Sequence, residues 1–181
     1  MKKLLLAGLL SLGVAGAATG QDVFVCKNAQ VSFFSSAPIE DIEARTEQGL
    51  SALDTSRKTI YFKVPVKSFR FRKQLMQEHF NEDYLESDRY PYAEFNGRFA
   101  DAENISAEGS HTVTVEGQLS IHGVNKTYRE TGTMTVKNGQ ITIDAAFKVR
   151  LTDHKITIPR LLFNNIAEVV AVKVHALYKK T

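Results

Sequence analysis

The chain has 181 residues, 43% of them hydrophobic and 24% charged, an ordinary globular composition that excludes disordered and fibrous classes and favours one domain over two. Lys and Arg number 23 against 20 Asp and Glu; removing Lys2 and Lys3, which fall in the leader described next, leaves 23 − 2 = 21 against 20. So neutral a surface offers a polyanion little counterion release, and nucleic acid is not expected as a partner. The single cysteine, Cys26, cannot form an internal disulfide.

Residues 1–20 open with Lys2 and Lys3, continue through an apolar stretch from Leu4 to Val14 and end in small residues before Gln21. That order predicts a secretory signal peptide, leaving one domain over residues 21–181 in an oxidising compartment, most simply a periplasm. Cys26 follows Val23-Phe24-Val25 rather than small residues, which argues against a lipid anchor. No other apolar run approaches the roughly 20 residues of a membrane span, so no stable span is expected.

The remaining chain alternates with period two. Apolar and polar residues take turns from Thr112 to Ile121 and from Ile141 to Leu151, the pattern of half-buried strands. Weaker alternation covers Asp22–Phe33, Ile39–Thr46, Ile60–Phe69, Tyr92–Phe99, Tyr128–Val136 and Glu168–Tyr178. Between Arg70 and Arg89 the pattern changes: Leu75, Met76, Phe80, Tyr84 and Leu85 have helical spacing, predicting a short helical segment near residues 71–87. Asn138-Gly139 signals a tight hairpin, and His122-Gly123-Val124-Asn125-Lys126 a slightly longer one. About eight antiparallel strands with one apolar face each must close on themselves or stack in two layers, and a barrel is the simpler solution.

Catalytic patterns are sparse. The glycines are scattered singly, the five histidines include no pair at metal-binding spacing, and no Gly-x-Ser-x-Gly elbow occurs. No catalytic residue, metal or cofactor is expected. Attention moves to the barrel interior, where Phe62, Val64, Phe95, Phe99, Leu119, Ile121, Met134, Phe147, Val149 and Val172 are the inward candidates, with Met76 and Phe80 from the helical segment. Such residues fill a packed core or line a slim cavity. Gly97, Gly117, Gly132 and Ala145 share their faces and would leave room along the axis.

Two stretches carry a resemblance. Leu75-Met76-Gln77-Glu78-His79-Phe80-Asn81-Glu82-Asp83-Tyr84-Leu85-Glu86-Ser87 with Pro91-Tyr92-Ala93-Glu94-Phe95-Asn96-Gly97, and Gly117-Gln118-Leu119-Ser120-Ile121-His122-Gly123-Val124-Asn125-Lys126, resemble the two signatures of YceI-like proteins. The likeness extends from about Val31 to Tyr178. It implies an all-β, eight-stranded antiparallel lipocalin-like barrel, exported to the periplasm, that binds a long-chain isoprenoid, a quinone-type molecule or a fatty amphiphile without chemical change. From the inward faces and the helical segment, the positions expected to meet such a ligand are Phe62, Val64, Met76, Phe80, Phe95, Phe99, Leu119, Ile121, Met134, Phe147 and Val149, with His79, Arg70, Arg72 and Lys73 near a polar head. Two other readings stay open: an enzyme acting on a lipophilic substrate, which requires a buried polar pair such as His122 or His111 with an acid, and a structural envelope module with a packed core.

Overall fold

The computed structural model describes residues 22–36, 41–100, 105–157 and 167–180. The leader expected at 1–20 and the start of the second expected strand at Ile39 and Glu40 lie outside them. The period-two segments form β1 (Val23–Ser35), β2 (Ile42–Asp54), β3 (Thr59–Pro65), β5 (Tyr92–Phe99), β6 (Gly109–Ile121), β7 (Val124–Lys137), β8 (Gln140–Arg150) and β9 (Val169–Lys180), with a two-residue β4 (Arg70–Phe71). All pairings are antiparallel, in the order β1-β9-β8-β7-β6-β5-β3-β2, and β2 returns to β1 along its length. The eight long strands therefore close into a barrel, with β7 and β8 paired over only part of their lengths.

Local chemistry accounts for the departures from the expected boundaries. β2 runs on to Asp54 instead of stopping at Thr46, because the ladder to β1 shifts register on both sides of the Ala29–Gly49 pair, and such a bulge interrupts the alternation. A Cβ on Gly49 would lie 2.8 Å from the Ala29 carbonyl oxygen, so only glycine fits. The strand expected over Ile60–Phe69 ends at Pro65. A 3-10 turn at Val66–Ser68 follows, where the Ser68 hydroxyl donates to the Pro65 carbonyl at 2.6 Å and lies 2.7 Å from Thr46 Oγ1. The chain then resumes pairing with β2 as β4, beside Ala44 and Arg45.

Both hairpins on β7 are two-residue turns. Asn138 and Gly139 have φ of 52° and 72°, and His122 and Gly123 have 52° and 71°, the double positive φ of a type I′ turn. The loop expected over His122–Lys126 is thus tighter than its composition implied: Ile121 pairs directly with Val124. The helical segment is shorter than residues 71–87, comprising α1 (Gln74–His79) and a π-type turn over Phe80–Tyr84. α1 buries none of its own residues. Packing of the following Phe80 holds the segment, with ring centroids 5.5 Å from Phe33, 5.7 Å from Phe69 and 5.0 Å from Phe71. Such aromatic contacts add about 0.5–1.5 kcal/mol each beyond buried area.

One end of the barrel, capped by the β7–β8 hairpin, is solid. Leu53, Phe99, Met134, Ile141 and Tyr178 form one buried cluster with Cys26, Ala29 and Ala176. The opposite end carries the β6–β7 turn, the helical segment and a 3-10 turn at Leu151–His154.

A lidded apolar cavity

The lidded half is hollow. A cavity of about 390 Å³ lies above the packed cluster, within the 300–1,000 Å³ range of small-molecule sites. Alternation aims inward side chains of the strands at this height into it: Val31 and Phe33 from β1, Ile60, Phe62 and Val64 from β3, Phe95 from β5, Val115, Leu119 and Ile121 from β6, Phe147 and Val149 from β8, Val172 and Val174 from β9. Met76, Phe80, Tyr84 and Leu85 roof it.

Of the positions expected to meet a ligand, Phe62, Val64, Met76, Phe80, Phe95, Leu119, Ile121, Phe147 and Val149 border the cavity. Phe99 and Met134 do not; they are 3% and 0% exposed inside the solid cluster, because their depth along the axis places them below the cavity floor. Val172, also expected inward, borders it. Arg70 and Arg72 are exposed outside it, whereas His79 lies on its rim and pairs with Asp83. Phe33, Phe69 and Phe71, which the sequence did not single out, complete the roof.

The glycines act differently from expectation. Gly97 pairs with Gly117 across β5 and β6, and the ring of Phe95 covers them: a Cβ on Gly97 would lie 2.5 Å from Phe95 Cε1, and one on Gly117 2.8 Å from Phe95 Cζ. Their missing side chains seat a ring instead of opening the axis. Gly132 and Ala145, paired on β7 and β8, do border the cavity.

Few polar groups intrude. β7 presents Tyr128 and Glu130 to the interior, in line with Gly132. Burial pushes both the Tyr128 hydroxyl and the Glu130 carboxyl above their ordinary ranges. Tyr128 is anchored by His154, a fully buried imidazole whose Nδ1 donates to the Val124 carbonyl at 3.1 Å and whose Nε2 lies 3.1 Å from the Tyr128 hydroxyl.

The acid–histidine pair that an enzyme would require does exist, but it faces away. His122 Nε2 lies 3.0 Å from Glu86 Oε1, and His122 Nδ1 lies 3.2 Å from the His154 carbonyl oxygen. The hydrogen bond from His122 holds the Glu86 carboxyl below its usual range. Neither residue borders the cavity; the pair ties the helical segment to the β6–β7 turn. His111 lies 2.9 Å from the Ala107 carbonyl oxygen and meets no acid among the described residues. Among the described residues no three His, Cys, Asp or Glu side chains converge as metal ligands, and no helix is long and apolar enough to cross a membrane.

The comparisons agree with this geometry. A polyisoprenoid-binding domain from Saccharophagus degradans superposes with a TM-score of 0.77 at 15% identity, covering 89% of this chain and 99% of that one. BcnA from Burkholderia cenocepacia gives 0.69 at 18% identity, covering 82% and 95%. The YceI protein of Campylobacter jejuni gives 0.59 at 14% identity over the full length of both. At these identities the likeness is one of fold. No curated protein matches the sequence. The model of the YceI-like domain, however, matches residues 21–177, and with the closed barrel and its signature segments in place, the chain belongs to the YceI-like family.

Proposed function

We propose that this protein is an exported, non-enzymatic carrier that sequesters a long-chain isoprenoid, quinone-type or fatty amphiphilic molecule in the barrel. The observation that carries the proposal is the lidded cavity of about 390 Å³, walled almost wholly by aliphatic and aromatic side chains. Burying a methylene contributes about 0.8 kcal/mol, so ten sequestered carbons supply roughly 8 kcal/mol before ordering costs, the scale of micromolar binding. The structural neighbour described as polyisoprenoid-binding supports the same class of ligand, and the leader-like residues 1–20 support delivery to the periplasm. No step of this function asks a protein group to make or break a bond.

Native mass spectrometry of protein isolated gently from the envelope tests the proposal directly. A co-purifying long-chain molecule, lost when Ala145 on the cavity wall is replaced by Leu while the fold persists, is the expected result. A protein that arrives empty and stays empty when offered polyprenols, quinones and fatty alcohols would overturn it.

A further inference from the structure

The barrel wall is split on one side. β7 and β8 pair only from Gly132–Ala145 to Lys137–Gln140, yet β7 continues back to Val124 on β6, and β8 continues forward to Arg150 on β9. The two strands therefore part above Gly132 and Ala145. Thr131, Gly132 and Ala145 border both the interior cavity and a groove on the outer face, so the wall is thin at the point of parting.

The first inward residue of β7 beyond the last paired position is Glu130. It borders an otherwise greasy cavity. Among the described residues its carboxyl has neither a hydrogen-bond nor an ion-pair partner, and burial alone accounts for its displaced titration. A half-buried acceptor left without a partner in a binding cavity costs free energy that a suitable ligand can recover. An anion placed beside it gains nothing and meets Coulomb repulsion in a medium of reduced dielectric.

We infer that Glu130, at the split between β7 and β8, selects the polar end of the ligand, accepting a hydrogen bond from a head group that donates and carries no negative charge while the chain fills the cavity. This rests on the carrier reading above. It narrows the ligand to an amphiphile ending in a hydroxyl or an amine, and it disfavours the carboxylate or phosphate of an equally long chain. The split lets that head remain near water while the tail is enclosed, so neither end is desolvated without compensation.

Three probes of one chain length separate the possibilities: hexadecanol, hexadecylamine and hexadecanoic acid, titrated at pH 7.5 against the full mature chain and against Glu130→Gln. The expected result in the unaltered protein is that the alcohol and the amine bind at least about tenfold tighter than the acid, a difference of about 1.4 kcal/mol. Glu130→Gln, which removes an unpaired charge and so keeps the fold, should shrink that ratio below about threefold and chiefly by improving the acid. Equal binding of acid and alcohol by the unaltered protein overturns the inference without recourse to any variant, as does a ratio unchanged by Glu130→Gln. Failure of all three probes to bind overturns the assignment of Glu130, and refusal of polyprenols and quinones as well removes the carrier reading.

Discussion

His154 and Tyr128 are joined 3.1 Å apart, imidazole Nε2 to phenolic oxygen, across the gap left where β7 and β8 part. The Val124 carbonyl can only accept, so the proton of His154 sits on Nδ1, and Nε2 must accept from the Tyr128 hydroxyl. The two rings also lie nearly parallel, 15° between planes with centroids 6.0 Å apart. One neutral imidazole thus fastens the Leu151–His154 turn to the strand that β8 has left, and closes the end of the split farthest from Glu130.

That arrangement predicts an acid-sensitive limb of stability. Burial holds the His154 imidazole below its ordinary value. The unfolded chain therefore takes up a proton near pH 6.5 that the native state refuses, and stability is full above that value and declines as pH falls below it. Between pH 7.5 and 5.5 His154 should therefore make stability fall with pH. The carboxyls of Asp54, Glu86 and Glu94, held below their usual range by hydrogen bonds, contribute only at lower pH. Urea unfolding of the unaltered protein and of His154→Gln, which retains one donor and one acceptor, checks this: the variant should be less stable at pH 7.5 but flatter across the interval. Equal slopes would dismiss the imidazole as the source.

The paired glycines beneath Phe95 predict unequal costs for equal substitutions. In Gly117→Ala the new methyl meets backbone, 2.4 Å from the Asn96 carbonyl oxygen and 2.5 Å from Gly97 Cα, and neither can yield without opening the β5–β6 ladder. In Gly97→Ala the nearest atoms are the edge of the Phe95 ring at 2.5 and 2.6 Å, which can swing into the empty cavity. Gly117→Ala should lower stability by about 3 kcal/mol, in the overpacking range. Gly97→Ala should cost about 1 kcal/mol, and its displaced ring should shorten the longest chain the cavity accepts. Thermal melts and a chain-length series of fatty alcohols would reveal a reversed order if the ring is immobile.

The barrel was legible because alternation survives wherever one face is wet and the other apolar, as along Thr112–Ile121 and Ile141–Arg150. It failed where geometry interrupts the count: the bulge opposite Gly49 hides the second half of β2, and the Ser68–Thr46 clamp cuts β3 from β4. The cavity wall was legible as a face but not as a depth. Phe95 and Phe99 share parity on β5, yet one lines the cavity and the other is packed, since the stagger of neighbouring strands sets height along the axis and leaves no periodic trace. Glu130 was missed for a plainer reason. Its parity with Gly132 and Met134 marks it as inward, but a charged residue in a strand reads as wet until the strand's partner is known.

Depth predicts how truncations divide. Phe99→Ala opens a new void inside a solid cluster and should cost about 3–5 kcal/mol. Phe147→Ala removes a ring that already borders empty space, so fewer contacts are lost and the cost should fall near 2 kcal/mol. Ligand affinity should move the opposite way, changing with Phe147 and hardly with Phe99. Denaturant midpoints combined with binding of a long-chain alcohol would show both orders at once; a Phe147 variant as unstable as the Phe99 variant would mean that the lidded half is filled.

Deep in the solid end, the Ser51 hydroxyl donates to the Tyr61 carbonyl at 2.7 Å and, having spent its proton there, accepts from the Tyr178 hydroxyl at 2.7 Å. Tyr178 is fully buried. Removing the acceptor strands the phenol, so Ser51→Ala should cost about 2–3 kcal/mol, whereas Tyr178→Phe leaves Ser51 with its carbonyl partner and should cost about 1 kcal/mol. Adding Tyr178→Phe to Ser51→Ala should then restore stability, because no orphaned donor remains. Burial also pushes the Tyr178 phenol well above its usual range. The native state therefore refuses to ionise where the unfolded chain does so, and stability held below about pH 10 is lost as pH rises beyond it. Unfolding curves of the single and double variants at pH 8 and pH 10.5 examine both claims: additive costs would show that the two hydroxyls are independent, and an alkaline limb persisting in Tyr178→Phe would assign it to another group.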